Sequence, residues 1–150
     1  MQKNNYMEVT FPSFSVNEGF ARVCVAAFCL QLNPSVDEIN DIKTAVSEAV
    51  TNCVVHAYPK TSGGLINLKC ETQGQMLIIT VSDNGVGIKD IEKAREPFYT
   101  TKPSEERSGM WFAVMESFMD KVEVEKNDNK GTKVILYKRI SRLQEQVKNA

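Results

Sequence analysis

Between Ile39 and Ala57 the apolar residues recur at steps of three and four: Ile39, Ile42, Val46, Ala49 or Val50, Cys53 and Ala57. That spacing places them on one side of a helix, and a stripe so long has to be covered by an equally apolar surface. Asn33-Pro34-Ser35, with Asp37 and Glu38 close behind, marks the helix start, and Pro59 marks its end. Strands supply the cover. Leu65 to Glu71 and Gln75 to Ser82 are alternating apolar runs joined through Thr72-Gln73-Gly74. Val122 to Glu125 and Thr132 to Tyr137 flank the turn Asn127-Asp128-Asn129-Lys130-Gly131. Each pair reads as a β-hairpin. Met7 to Phe11, stopped by Pro12, reads as a short strand at an edge. A first helix, capped by Ser15 or Asn17 and running to about Gln31 by its apolar periodicity, has Phe20, Val23, Cys24, Ala27, Phe28 and Leu30 on its apolar side. Another apolar helix runs from near Gly109 to Phe118. Tight turns make their strands antiparallel, so the predicted fold is α+β. It is a two-layer α/β sandwich with helices on one face of a mixed, mostly antiparallel sheet.

A chain of 150 residues is the length of one domain, expected here over 1–140 with a polar tail at 141–150. With 18 basic against 19 acidic residues the net charge is −1, which excludes a broad electrostatic grip on nucleic acid or anionic membrane. No apolar run approaches the roughly 18–20 residues of a membrane span, and Met1-Gln2-Lys3-Asn4-Asn5 opens no signal peptide. A soluble cytoplasmic protein is expected. Cys24, Cys29, Cys53 and Cys70 form no Cys-x-x-Cys pair and have no histidine at zinc spacing, so they are expected as core thiols.

The chemistry-bearing residues concentrate around Asp83 to Ser108, a long stretch without periodicity of the kind that forms a lid or binding loop. Asp83-Asn84-Gly85-Val86-Gly87 follows a buried strand; it is either a plain turn or a place where backbone and carboxylate meet a ligand. Glu48, Asn52 and His56 share a helix face at the margin of the core. That face is either solvated, or it offers a general base and an amide oxygen fit for a hard cation. His56 reads more simply as a helix-end hydrogen-bonder. Pro97 to Pro103 and Glu106 to Met110 hold hydroxyls, a lysine, an arginine and a glycine before a helix, the parts of a phosphate site or of an ordinary polar loop.

Taken in order, these clusters resemble the ATP-binding superfamily of gyrase, Hsp90, histidine kinases and MutL, the Bergerat-type fold. Glu48-Ala49-Val50-Thr51-Asn52 is similar to its N box and Asp83-Asn84-Gly85-Val86-Gly87 to its first glycine box. Pro97 to Pro103 is similar to its lid, and Gly109 opens its second glycine box. Ser47 to Asn52, Phe98 to Pro103, Glu106 to Met110 and Met115 to Asp120 resemble the anti-sigma F kinases of endospore-forming bacteria in particular. The resemblance implies an anti-sigma factor that inhibits a sporulation sigma factor of the sigma F type. It also implies use of ATP and Mg²⁺ to phosphorylate a serine on an anti-anti-sigma antagonist, and a homodimer with no direct nucleic-acid or membrane partner. By the same resemblance Glu48 would be the catalytic base, Asn52 would hold Mg²⁺ and Asp83 would take the adenine amino group. Gly85 and Gly87 would pass close to the nucleotide, and Thr132 would lie near adenine. Thr101, Lys102, Arg107, Ser108 and Gly109 would line the phosphates, and Arg22 on the first helix would meet a partner or stand as an ordinary exposed arginine.

One position departs from the pattern. The second glycine box usually reads Gly-Met-Gly, whereas here it is Gly109-Met110-Trp111, and Trp111 is the single tryptophan. An indole aimed at the nucleotide would overpack the site, and one aimed outward would be tolerated. The alternative expectation is therefore a nucleotide-binding anti-sigma module whose phosphotransfer Trp111 impairs. A histidine-kinase catalytic domain or a gyrase-like ATPase ranks below both, because the chain has no room for a phospho-accepting helical hairpin. The absence of Gly-x-x-x-x-Gly-Lys-Ser/Thr and of a His-Arg-Asp loop sets aside P-loop enzymes and ordinary protein kinases.

Overall fold

A computed structural model describes residues 4–57, 64–88, 95–96, 110–128 and 130–141. The expected lid, with Thr101, Lys102, Arg107, Ser108 and Gly109, lies outside the described residues, as does the tail beyond Ser141. Among the described residues no helix is long and apolar enough to cross a membrane.

Five strands form one sheet: β1 (Tyr6–Pro12), β2 (Leu65–Gln73), β3 (Met76–Asp83), β4 (Lys121–Lys126) and β5 (Thr132–Arg139), in the order β1-β2-β3-β5-β4. Every pairing is antiparallel, so the expected mixed sheet is antiparallel throughout the described strands. The physical reason is the placement of β5, which inserts between β3 and β4. Those two run in the same direction, as a helical crossover requires, but never pair with each other. The expected edge position of β1 is observed.

Alternation along the strands divides the sheet into a covered and an open face. Ile66, Leu68, Cys70 and Thr72 of β2 are buried, and register sets them beside Asp83, Val81, Ile79 and Leu77 of β3. Val134 and Leu136 of β5 continue this face. The other face carries Asn67, whose amide donates to Thr10 Oγ1 at 2.9 Å, and the Lys69–Glu71 and Lys121–Glu123 ion pairs.

The helices lie on the covered face: α1 (Asn17–Cys29), α2 (Val36–Asn52) and α3 (Trp111–Phe118). Helix α2 is central and starts with a capping box. The Ser35 hydroxyl accepts from Glu38 N–H and the Glu38 carboxylate accepts from Ser35 N–H. Ile42, Ala45, Val46, Ala49 and Val50 are fully buried, following the spacing read from sequence. Its end departs from expectation: the α-helix stops at Asn52 and a π-helical turn, Cys53–Ala57, follows. The start of α3 lies at Trp111, two residues past the expected Gly109.

Helix α1 corrects the expected apolar side. Ala21, Val25 and Cys29 face the core, and of the expected side Cys24 and Phe28 pack against it partly buried, while Phe20, Val23 and Leu30 are exposed by 52%, 65% and 58%. The helix has two apolar stripes, and the one with the smaller side chains approaches α2 and the sheet closely. Neither expected cap forms: Val16 precedes the helix without a side-chain cap, and the Asn17 amide donates to the Pro12 carbonyl instead. Of the expected core thiols, Cys29, Cys53 and Cys70 are buried and Cys24 is only half-buried.

Candidate functional site

Asp83 ends β3 on the covered face, where strand alternation points it inward, and it is only 4% exposed. A carboxylate so placed needs donors. Its Oδ1 accepts from Gly85 N–H at 2.9 Å and from Thr132 N–H at 3.2 Å, and its Oδ2 accepts from the Cys53 thiol at 3.4 Å. Burial raises its pKa above the ordinary aspartate value, and these three hydrogen bonds counter part of that rise. Three segments far apart in sequence therefore meet on one acidic group: the end of α2, the loop after β3 and the start of β5.

The surrounding backbone is locked in place. The Ala57 carbonyl accepts from Val86 N–H at 3.0 Å, and Gly85 lies so close to Ala57 that any Cβ there would collide with its backbone. The missing side chain of Gly85, which is expected to pass close to a nucleotide, also admits the π-turn of α2. Gly87 has φ +76°, a left-handed conformation that favours glycine. Asn127, in the β4–β5 turn, donates from Nδ2 to the Asp83 carbonyl at 2.8 Å and to Asn84 Oδ1 at 3.3 Å.

Glu48 and Asn52 occupy the last turns of α2, one turn apart, both partly exposed at the rim of the buried stripe. Asn52 immediately precedes Cys53, so this rim adjoins the Asp83 cluster. His56 belongs to the π-turn, which breaks the regular i, i+4 ladder expected to carry it on from Asn52. Thr132 is 8% exposed and reaches Asp83 through its backbone. Arg22 lies apart from the cluster on α1; its side chain is 42% exposed and pairs with Glu18 at 3.6 Å.

Trp111 is neither exposed nor outward-pointing. It is 6% exposed, part of the core cluster, and meets Phe112 edge-on at 5.8 Å between ring centroids. The Arg95 guanidinium lies 4.5 Å from the Phe112 ring centroid and pairs with Glu116 at 4.0 Å, which sets Arg95 against α3.

The two carboxylate oxygens of Asp83 are engaged unequally. Among the described residues Oδ1 takes two backbone N–H groups, while Oδ2 takes only a thiol, a weak donor that leaves it able to accept from a further N–H. Among the described residues no group of three or more His, Cys, Asp or Glu could hold a metal. Asn52 offers an amide oxygen of the kind that can hold a hard cation.

Cys53 and Asn127 were not among the candidates read from sequence. Cys53 was read as a small hydrophobe and Asn127 as turn chemistry, and their partners lie 30 and 44 residues away. Adjacency to Asn52 was the one signal available for Cys53.

Residues 15–138 match the family model of the histidine kinase-like ATPase domain. The chain is 51% identical over 138 residues to the anti-sigma F factor of Clostridium beijerinckii, covering 92% of this chain and 96% of the relative. It is likewise 51% identical over 138 residues to the anti-sigma F factor of Geobacillus kaustophilus, covering 92% and 94%. Among solved structures it is similar to the RsbU and RsbW domains of a Mycobacterium tuberculosis protein, with a TM-score of 0.65 and 19% identity over 92% of this chain and 32% of that longer one. It is also similar to the catalytic domain of histidine kinase ThkA, with a TM-score of 0.58 and 18% identity over 91% and 96% of the two chains. These structural likenesses concern the fold.

Proposed function

This chain belongs to the anti-sigma F factor family of histidine kinase-like ATPase domains, and on that footing we propose that it is an ATP- and Mg²⁺-dependent protein serine kinase. Its partners in this reading are a sigma F-type factor, which it binds and inhibits, and an anti-anti-sigma antagonist, on which it phosphorylates a serine. The observation that carries the proposal is Asp83: a buried carboxylate with remaining acceptor capacity, beside the end of the helix bearing Glu48 and Asn52.

In this mechanism Asp83 Oδ2 accepts from the six-amino group of adenine, and Thr132 and Gly87 border the base. Gly85 lets the chain pass close to the nucleotide and also lets the π-turn seat against the loop. Asn52 would hold Mg²⁺ through its amide oxygen, and the ion would supply neutralisation of phosphate charge. Glu48, one turn earlier, orients the acceptor serine hydroxyl and takes its proton as the oxygen bonds to the γ-phosphorus of ATP, while the bond from that phosphorus to the bridging oxygen breaks and ADP leaves. Thr101, Lys102, Arg107, Ser108 and Gly109 complete the proposal as phosphate-side donors, by the family pattern. Most of the rate then comes from positioning and charge, since phosphoryl transfer asks little covalent chemistry of the protein.

Arg22 is proposed as a sigma-factor contact, released from Glu18 when a partner carboxylate competes for it. The homodimer belongs to the same proposal: Phe14, Val16, Phe20 and Val23 leave an exposed apolar surface along α1 and its approach, of the kind subunits bury. Phe20→Glu is expected to convert a dimer to monomer in sedimentation.

The deciding experiment incubates the protein with labelled ATP, Mg²⁺ and the antagonist. Serine labelling is expected, with loss in Glu48→Ala while ATP binding persists. Full transfer by Glu48→Ala would remove Glu48 as base, and absent ATP binding by the native chain would remove the nucleotide reading. Trp111 motivates a second reading, sigma binding without transfer. It predicts tight ATP and sigma-factor binding but no labelled serine, with transfer appearing in Trp111→Gly.

A further inference from the structure

Asp83 is anchored unequally. Its Oδ1 is fixed by two backbone donors, Gly85 N–H and Thr132 N–H, whereas Oδ2 is held within the chain by the Cys53 thiol. Cys53 is itself 4% exposed and is aimed by the π-turn that ends α2. That turn also presents the Ala57 carbonyl to Val86 N–H, so one five-residue segment fixes both the carboxylate and the loop behind it. Resting on the nucleotide reading above, we propose that Cys53 is a positioning residue for base recognition, holding Asp83 Oδ2 as an oriented acceptor that favours a six-amino purine over a six-oxo one.

The chemistry follows from what each group can donate. The Cys53 thiol is buried 3.4 Å from Asp83 Oδ2, where it acts as an S–H donor to the carboxylate. A thiol donates weakly, so it orients Oδ2 without saturating it, and a base N–H can bind alongside or displace it. A six-oxo purine offers a lone pair at the same position, and two acceptors facing each other in a buried site repel. Without Cys53 the carboxylate can rotate and protonate more readily, and a protonated carboxyl donates to a six-oxo group. Among the described residues the groups that meet Asp83 are Cys53 from the end of α2, the Gly85 N–H from the loop and the Thr132 N–H from β5; of these, Cys53 is the one that titrates.

The test uses the full chain as wild type, Cys53→Ala and Cys53→Ser, with ADP and IDP as probes in calorimetric titrations between pH 5 and 8. Cys53→Ala is expected to reduce the ADP-over-IDP preference by about three- to tenfold, chiefly through weaker ADP binding. Cys53→Ser, which restores a donor, is expected to recover it. In nucleotide-free protein the Asp83 carboxyl carbon signal should titrate at higher pH in Cys53→Ala and return towards wild type in Cys53→Ser. A wild-type preference and unchanged Asp83 titration in Cys53→Ala, with only a lower melting temperature, would overturn the inference and leave the nucleotide reading intact. Failure of the wild type to bind either nucleotide would overturn the nucleotide reading, and the inference with it.

Discussion

Gly131 rests directly against the backbone of Asp83: a Cβ at Gly131 would run into the Asp83 carbonyl oxygen, and Gly131 has φ +96°. The same carbonyl accepts from Asn127 Nδ2, so the β4–β5 turn is seated on the end of β3. Gly131→Ala combines backbone strain with a collision that neither rigid segment can relieve. A loss of about 2 kcal/mol or more is expected in urea denaturation, with weaker nucleotide binding by whatever folded protein remains.

Asp83 is expected to trade stability for function. Its folded pKa is raised, so the folded state holds the proton to higher pH than the unfolded chain does. Stability from this group is therefore greatest below the ordinary aspartate range and falls as pH rises through the raised pKa, leaving a cost at neutral pH. Asp83→Asn keeps an oxygen for Gly85 N–H and Thr132 N–H and removes the charge. Its melting temperature at pH 7 should equal or exceed wild type, the advantage should vanish in acid, and ATP binding should be lost.

Trp111→Gly should destabilise the protein. The indole is buried in the core, so removing it leaves a cavity, and glycine weakens the first turn of α3. A loss of about 3–5 kcal/mol is expected by denaturant titration. Trp111→Phe, which retains most of the apolar volume, should lose markedly less.

The Ser35–Glu38 capping box should be separable from catalysis. Ser35→Ala is expected to lower stability by about 0.5–2 kcal/mol. Faster hydrogen exchange at the start of α2 and unchanged ATP affinity would accompany it, because the site lies at the other end of the helix.

Cys29 and Cys70 should resist labelling in the native state. Burial pushes both thiols up to about 12, so the reactive thiolate is scarce at neutral pH. Mass spectrometry after a short alkylation at pH 7.5 should find Cys24 modified first and these two only after unfolding.

Local chemistry made much of this protein legible before any coordinates. The α2 stripe, the Ser35 start, both hairpins and the Asp83 turn are each written within about twenty consecutive residues, where periodicity and turn preference act directly. Helix α1 is legible only in part, because its sequence holds two apolar stripes. Periodicity reports that stripes exist, and packing against α2 decided that Ala21, Val25 and Cys29 face inward while Phe20 and Val23 do not. The order β3-β5-β4 likewise depends on which strand edge remained open after the chain crossed over, a contest between distant segments.

The candidate site divides the same way. Sequence alone marked Glu48, Asn52 and Asp83, since their types and spacing are local and match a family pattern. Only the tertiary structure placed Cys53 on Asp83 Oδ2, the Ala57 carbonyl against Gly85, and Asn127 with Gly131 over the end of β3. A buried carboxylate must find its donors wherever the folded backbone presents them, and hydrogen bonds across 30 or more residues leave no periodic trace in the chain.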